Sequence, residues 1–386
     1  MRRVEIWGGE AADRFGKFLI SCAELLPNAG GSRYDRHMKS FRFLSACLVF
    51  STLGPTAIVA QITLLDAPEI RSSDHDVFEN EDISAIAIHG DRLAFGADEK
   101  SSIQFFDPVS GEPAYEAREP TRLFDNSDEE LDIEGIARSG DTWFVAGSHS
   151  RKRKKVDLDD DNRKYRKNRE RLTGEGLRDE LFRNQILRFE YDPSTGQPFD
   201  AADVDDPLDL SEVFAQSPVL GRFTGLPSKE NGIDIEGIAT DGESIWLGFR
   251  GPVLRNNWVP VMRLKYDQPA ENEILFVNLG GGGIREIAKC PKSAGFLLIA
   301  GAVGDWPLPY SLYHWDGADT LPGERSASDP PQGKVDFLGE IPAPPSFKAE
   351  GLAIEKETAD FFEILVVYDG ATDGDLKRFR VAKPQL

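Results

Sequence analysis

The chain has 386 residues, enough for one large domain or two ordinary ones, and 40% of them are hydrophobic, which suffices for a packed core. With 66 acidic against 45 basic residues the formal charge is −21, so nucleic acid and anionic membrane surfaces are excluded as natural partners by repulsion. A cationic ligand or a bound metal is the easier partner.

Residues 1–37 resemble neither folded-domain nor targeting sequence and read as a mis-assigned start or a disordered leader. From Met38 the chain carries Lys39 and Arg42, and then runs from Phe43 to Ala60 without a charge. This is the plan of a secretory signal, with cleavage expected after Ala60 and an exported, periplasmic or extracellular product. The run is short for a membrane span of about 20 apolar residues, and Gly54-Pro55 interrupts it. Leu44-Ser45-Ala46-Cys47 fits an acylation box, but Cys47 precedes most of the apolar run, so lipidation is not expected. Cleavage would remove Cys22 and Cys47 and leave Cys290 without a disulfide partner. Cys290 lies at the end of an apolar run and reads as structural.

Residues 61–386 read as one domain built on a repeat. Five segments align: Ser84-Ala85-Ile86-Ala87, Glu134-Gly135-Ile136-Ala137, Glu236-Gly237-Ile238-Ala239, Arg285-Glu286-Ile287-Ala288 and Glu350-Gly351-Leu352-Ala353. Their first residues are 50, 102, 49 and 65 positions apart. Each is followed by a polar turn and a second apolar run, such as Thr142 to Gly147 or Phe296 to Gly301, and in four units by a third run ending on an acid. Short apolar runs between Gly/Asp turns are strands. The pattern predicts an all-β fold, a β-propeller of five blades with six as the alternative. The last unit lacks a fourth strand, which Gln61 to Leu65 is placed to supply, closing the ring and removing exposed sheet edges. A monomer is expected.

The long gap contains a charged insertion, residues 151–183, opening on Arg151-Lys152-Arg153-Lys154-Lys155 and passing through Asp159-Asp160-Asp161. Its polarity predicts a solvated helix or a flexible loop, with a lid over one channel mouth as the sharper idea. Gly280 to Gly283 lies between blades and reads as a junction rather than a phosphate loop.

In a propeller the first strand of each blade lines the central channel, so Ser84, Glu134, Glu236, Arg285 and Glu350 are expected at one axial zone. Two carboxylates some 5–6 Å apart repel by about 3 kcal/mol at an effective dielectric near 20, so three acids would take up protons or recruit a cation. Arg285 can neutralise one, and Ca2+, which takes six to eight hard oxygens, could satisfy the others. Asp132 and Asp234, two residues before their glutamates, share that strand face and join Glu134, Glu236 and Glu350 as metal candidates. The opposing assignment makes the glutamates blade caps. His149 and Arg250, which follow the second strands of their blades, are ligand candidates together with Arg285. No nucleophile elbow, zinc-protease helix, Walker loop or paired Cys-x-x-Cys occurs, so no catalytic residue is assigned.

Asp132 to Ala137 with Gly147 to Ser150, Asp234 to Ala239 with Arg250-Gly251-Pro252, Gly283 to Ala288, and Glu350 to Ala353 together resemble a bacterial family catalogued as domain of unknown function 3616, over about residues 80–385. The Glu-Gly-Ile strands also look like those of esterase-like phytase propellers and, more distantly, of calcium-dependent lactonase propellers. The resemblance implies a propeller and a metal held by strand-start glutamates, although Ser84 and Arg285 stand where those would have glutamate. Two functions follow: a metal-assisted hydrolase of phosphoesters or esters at the channel mouth, or a non-catalytic propeller that binds a small ligand or a protein.

Overall fold

The computed structural model describes residues 61–72, 74–124, 129–158, 164–197, 199 and 203–384. The leader and signal segments, Cys47 and the acid run at 159–161 lie outside them.

Five antiparallel sheets follow one another along the chain, one per repeat. Blade 1 is built from Ile83–His89, Arg92–Ala97, Ser102–Pro108 and Ala114–Ala117, with Glu69–Arg71 added in parallel at its edge. Blade 2 has Ile133–Ser139, Thr142–Gly147 and Ile186–Glu190, and in place of a fourth strand only the single bridges Ile186↔Leu208 and Phe189↔Val204. Blade 3 is Asp234–Thr240, Ile245–Gly251, Trp258–Lys265 and Gln268–Asn278. Blade 4 is Gly283–Lys289, Phe296–Gly301, Tyr310–Trp315 and Val335–Ile341. Blade 5 has Lys348–Glu357, Phe361–Asp369 and Lys377–Ala382 and takes its outer strand from Ile62–Leu65, with Ile62 opposite Val381 and Leu65 opposite Arg378. The fold is the five-bladed propeller expected from the repeat, closed by the strand at 62–65.

The apolar core is divided among the interfaces between blades. Phe105, Trp143 and Phe189 fill the interface of blades 1 and 2, and Phe144, Leu247 and Phe249 that of blades 2 and 3. Trp246, Phe296 and Trp315 fill the next, Leu312, Leu338 and Ile364 the fourth, and Phe95, Phe106 and Leu365 seal blade 5 against blade 1. The second strand of each blade therefore buries both faces, which explains why these runs are continuously apolar rather than alternating.

The inner strands share one irregularity. In all five blades the register slips at the repeat's first residue: Ile83 pairs with Ala97 and Ala85 with Gly96, leaving Ser84 as the extra residue, and Glu134, Glu236, Arg285 and Glu350 are skipped in the same way. A β-bulge re-aims the side chain it displaces, and here it does so five times at one level. The glycine that follows is required by close approach. A Cβ on Gly135 would lie 2.9 Å from the Ile238 backbone nitrogen, and one on Gly237 would meet Glu286 Oε1 at 2.7 Å. Glu286 occupies the glycine position of blade 4 and fills that space, accepting the Ile287 amide at 2.8 Å and also bonds from Ile238 and Leu352 of the neighbouring blades.

The insertion forms a short two-stranded ribbon, Arg151–Arg153 against Leu177–Asp179, and a helix, Tyr165–Arg171, with no buried residue, which is the solvated helix its composition predicts. Among the described residues no helix is long and apolar enough to cross a membrane.

Substituting Gly237→Ala should cost about 1–3 kcal/mol of unfolding free energy in urea melts, the usual penalty of overpacking. An alanine at the open turn residue Gly196, with φ +68° but no atom within 4 Å, is expected to cost less.

Candidate functional site

The bulges deliver their side chains to one mouth of the ring, where burial makes every charge expensive unless it is matched. Arg250 spans blade 3, pairing with Asp234 and, through Nη1, with Glu236 Oε1 at 2.7 Å. Arg285 reaches Glu236 Oε2 at 3.2 Å and pairs with Glu350. Lys348 pairs with Asp369 and stands 3.9 Å from Glu350. Arg183, at the end of the insertion and 1% exposed, places Nη1 2.5 Å from Asp132 and also pairs with Glu130, while its Nε is 2.8 Å from Glu180. Asp132 further accepts from Ser148 Oγ and lies 3.7 Å from Lys152.

The sequence reading missed Arg183, Lys152 and Lys348. Each comes from a loop or strand start whose position at the mouth depends on folding, and only the basic opening of the insertion signalled that cations would be supplied.

Of the five carboxylates singled out from the sequence, Asp132, Asp234, Glu236 and Glu350 are thus neutralised by fixed cations. Glu134 is not. It is only 9% exposed and has no hydrogen bond or ion pair to any described residue. Burial, followed by the charges of Glu236, Asp132, Asp98 and Asp234, raises its pKa well above the ordinary carboxyl value. Asp98 joins it: burial and then Asp369 push its carboxyl up to about 7, with Lys348 opposing, and its buried Oδ1 has no hydrogen-bond partner among the described residues. Burial pushes Asp234 up to about 6, against the pull of Arg250. Burial lowers Arg183 to about 10, which leaves it protonated.

His149 lies apart from this cluster. Register places Ser148, not His149, in line with Arg250: both sit two residues beyond the partner of the repeat's glycine, as do Asp98 and Asp369. His149 instead adopts φ +52° and turns its ring into the core, edge-on to Phe214 with 5.5 Å between centroids. Its Nδ1 lies 3.1 Å from the Gly147 carbonyl and its Nε2 accepts the Leu210 amide at 3.3 Å, which fixes a neutral ring with the proton on Nδ1. Burial lowers its pKa to about 4.

Glu134, Asp98, Asp234, Glu236, Arg250 and Glu350 line a cavity of about 360 Å³, together with Lys152, Arg153 and Lys155 of the insertion and Pro227 to Glu230. A larger cleft of about 730 Å³ adjoins it between the loops of blades 4 and 5 and shares Lys229, Arg250 and Lys348 with it. None of the five candidate metal ligands belongs to a set of three ligating atoms gathered within 4.8 Å; among the described residues that arrangement occurs at His89, Asp141 and Asp192, where blades 1 and 2 meet. These three form an acidic, histidine-containing group of metal-ligating type, in which His89 Nε2 is 2.8 Å from Asp141 and Asp192 accepts the Ser194 amide at 2.8 Å. They come from three separate turns, which no local motif reveals.

The model of a family described as "Protein of unknown function (DUF3616)" matches residues 82–380. No curated protein matches the chain. Among solved structures it is similar to glutaminyl cyclase of Myxococcus xanthus, with 10% identity over 84% of this chain and 98% of that one and a TM-score of 0.45. It is also similar to an exo-β-1,3-galactanase of Phanerochaete chrysosporium, with 7% identity over 84% of this chain and 64% of that one and a TM-score of 0.39. A third is hydrazine synthase of Kuenenia stuttgartiensis, with 9% identity over 75% and 64% and a TM-score of 0.34.

Two substitutions probe this arrangement. Arg183→Met should cost about 3 kcal/mol of stability or more, because it strands the buried Asp132 charge. For His149 the unfolded ring takes its proton near pH 6.5 and the folded ring near 4, so its contribution to stability is present above 6.5 and lost as pH falls towards 4. The wild type should therefore lose about 3 kcal/mol more than His149→Gln between pH 7 and pH 4, read as the difference between two series of urea melts.

Proposed function

The chain belongs to the DUF3616 family, whose function is unknown, and from that starting point we propose that it is a ligand-binding propeller whose mouth cavity takes a cationic group, with Glu134 as the counter-charge. The observation that carries this is a nine-tenths buried carboxyl lining a cavity with no partner among the described residues, while Asp132, Asp234, Glu236 and Glu350 around it are matched by arginine. A ligand cation supplies the neutralising charge that no described residue brings to Glu134. The net charge of −21 favours the same class of ligand and disfavours nucleic acid. Export through the segment 38–60 and a monomeric state belong to the same proposal and rest on the sequence.

A second reading makes the cation calcium and the protein a metal-assisted hydrolase of phosphoesters or esters, since Asp98 and Glu134 share one cavity with Arg250. Pairing of the other acids with arginines favours binding over catalysis, because little oxygen donor capacity remains for a metal that takes six to eight ligands.

Calorimetric titration of the wild type with methylammonium chloride and with calcium chloride, set against Glu134→Gln, tests both. The wild type should bind a cation and the variant should bind it at least about tenfold more weakly. Hydrolysis of p-nitrophenyl phosphate or acetate that is lost on chelation and in Glu134→Gln would transfer the assignment to the hydrolase. Without ligand, the raised pKa of Glu134 gives a contribution to stability present below its ordinary value and lost as pH rises. Glu134→Gln should accordingly lose less stability than the wild type between pH 5 and pH 9.

A further inference from the structure

We infer that the ligand of the mouth is an organic amine carrying an aryl or other flat apolar body, its ammonium on Glu134 and Asp98 and its body in the adjoining cleft over Trp306. This rests on the assignment of Glu134 as the counter-charge and specifies what bears the cation.

The geometry of the mouth disfavours a bare metal ion. A hard cation needs several oxygens converging on one point, and no three carboxylates of the mouth bring their oxygens that close together. An ammonium is less demanding, because its three N–H donors can be shared between two separate acceptors and water. Glu134, which has neither hydrogen bond nor ion pair to a described residue, and the buried Oδ1 of Asp98 are open to such a donor, whereas Glu236, whose oxygens also lack hydrogen bonds, is already matched by Arg250 and Arg285.

The cleft next to them differs in chemistry. Its wall carries Trp306, Leu308, Tyr310 and Phe347, set among prolines at 307, 309, 342, 344 and 345. Trp306 is 50% exposed and Leu308 38%, a large apolar surface for a chain this acidic. The two rings are seated on glycines. A Cβ on Gly304 would meet the Trp306 ring at 2.3 Å, and one on Gly301 would meet Tyr310 at 2.9 Å and Arg285 Cγ at 3.0 Å. Each ring therefore packs close over a glycine that leaves room for it. Lys229, Arg250 and Lys348 border both spaces, so a ligand held at Glu134 continues past them into the cleft. A flat apolar body stacks there at low entropic cost, and an aromatic face also favours a nearby cation.

The test is calorimetric titration of the full chain with methylamine, 4-phenylbutylamine, 4-phenylbutanol and calcium chloride. On the wild type 4-phenylbutylamine should bind at least about tenfold more tightly than either methylamine or the alcohol. Trp306→Ala should bring it down to the methylamine level and leave methylamine itself unchanged, while Glu134→Gln should bring it down to the level of the alcohol. Equal affinity for the two amines overturns the aryl assignment and leaves Glu134 as the cation site. Equal affinity for the aryl amine and its alcohol overturns the role of Glu134 and leaves an apolar cleft. Calcium that binds more tightly than any amine and displaces it makes the mouth a metal site and overturns the amine. Absence of any binding overturns both. Trp306 stands on an exposed loop, and Trp306→Leu, with near-ultraviolet circular dichroism of each variant, separates loss of the ring from loss of the fold.

Discussion

Everything at the mouth depends on how closely five inner strands can approach one axis. The approach is close enough that a methyl group at Gly135 or Gly237 would collide with the next blade, and Gly351 is bounded by Ile86 in the same way. The register slips at the repeat's first residue in every blade, including blade 1, where Ser84-Ala85 stands in place of Glu-Gly. In the three blades that carry Glu-Gly, the bulge displaces the acid and the glycine makes room for the neighbouring blade. Blade 4 shows the rule by exception: it carries Glu286 in place of glycine, and the room left by Gly237 receives that carboxyl, which then ties three blades together through their backbone amides.

Displacing five side chains to one level in a low dielectric creates a charge problem, and the solution is distributed over the chain. Blade 3 supplies Arg250, blade 4 Arg285, blade 5 Lys348, and the insertion Arg183. Buried pairs of this kind add little net stability but fix geometry, because removing either partner strands the other. The insertion thereby has a structural duty that its composition hides. Most of it is solvated, yet its last residue is among the most buried cations in the protein.

How much of this could be read in advance follows from the range of the interactions. The repeat, the strand runs and the closing strand were legible, because periodicity and apolar runs are local and the fifth unit's missing strand is a simple count. The mouth as a gathering place for Glu134, Glu236, Arg285 and Glu350 was legible for the same reason. Which acids would be matched was not, since Arg183 meets Asp132 across 51 positions of sequence and the pairing exists only after the insertion folds back. His149 and Arg250 both lie two residues after a glycine, but the register sets Ala146, not Gly147, level with Gly248, and that offset of one residue turns His149 from the mouth into the core. Calcium among the glutamates followed from charge alone, whereas metal chemistry depends on convergence, and the convergent set His89, Asp141 and Asp192 arises from three unrelated turns.

The contrast among the buried acids bears on function. A carboxylate withdrawn from water can be neutralised by a fixed cation or by a proton. Glu236 and Glu350 have the first, and their state is set once the chain has folded. Glu134 and Glu286 have no ion pair among the described residues, and burial is the leading cause that raises the pKa of both. Glu286 accepts backbone amide bonds from its own and both neighbouring blades, so its role is architectural. Glu134 lines a cavity, and its pKa is raised by burial and by the acids around it. A cation bound beside it favours the ionised carboxylate, so cation affinity is expected to rise with pH. A site neutralised by an arginine would show no such linkage, which is why Glu134 and Asp98, the mouth acids without an ion pair among the described residues, are the ones on which a ligand can act.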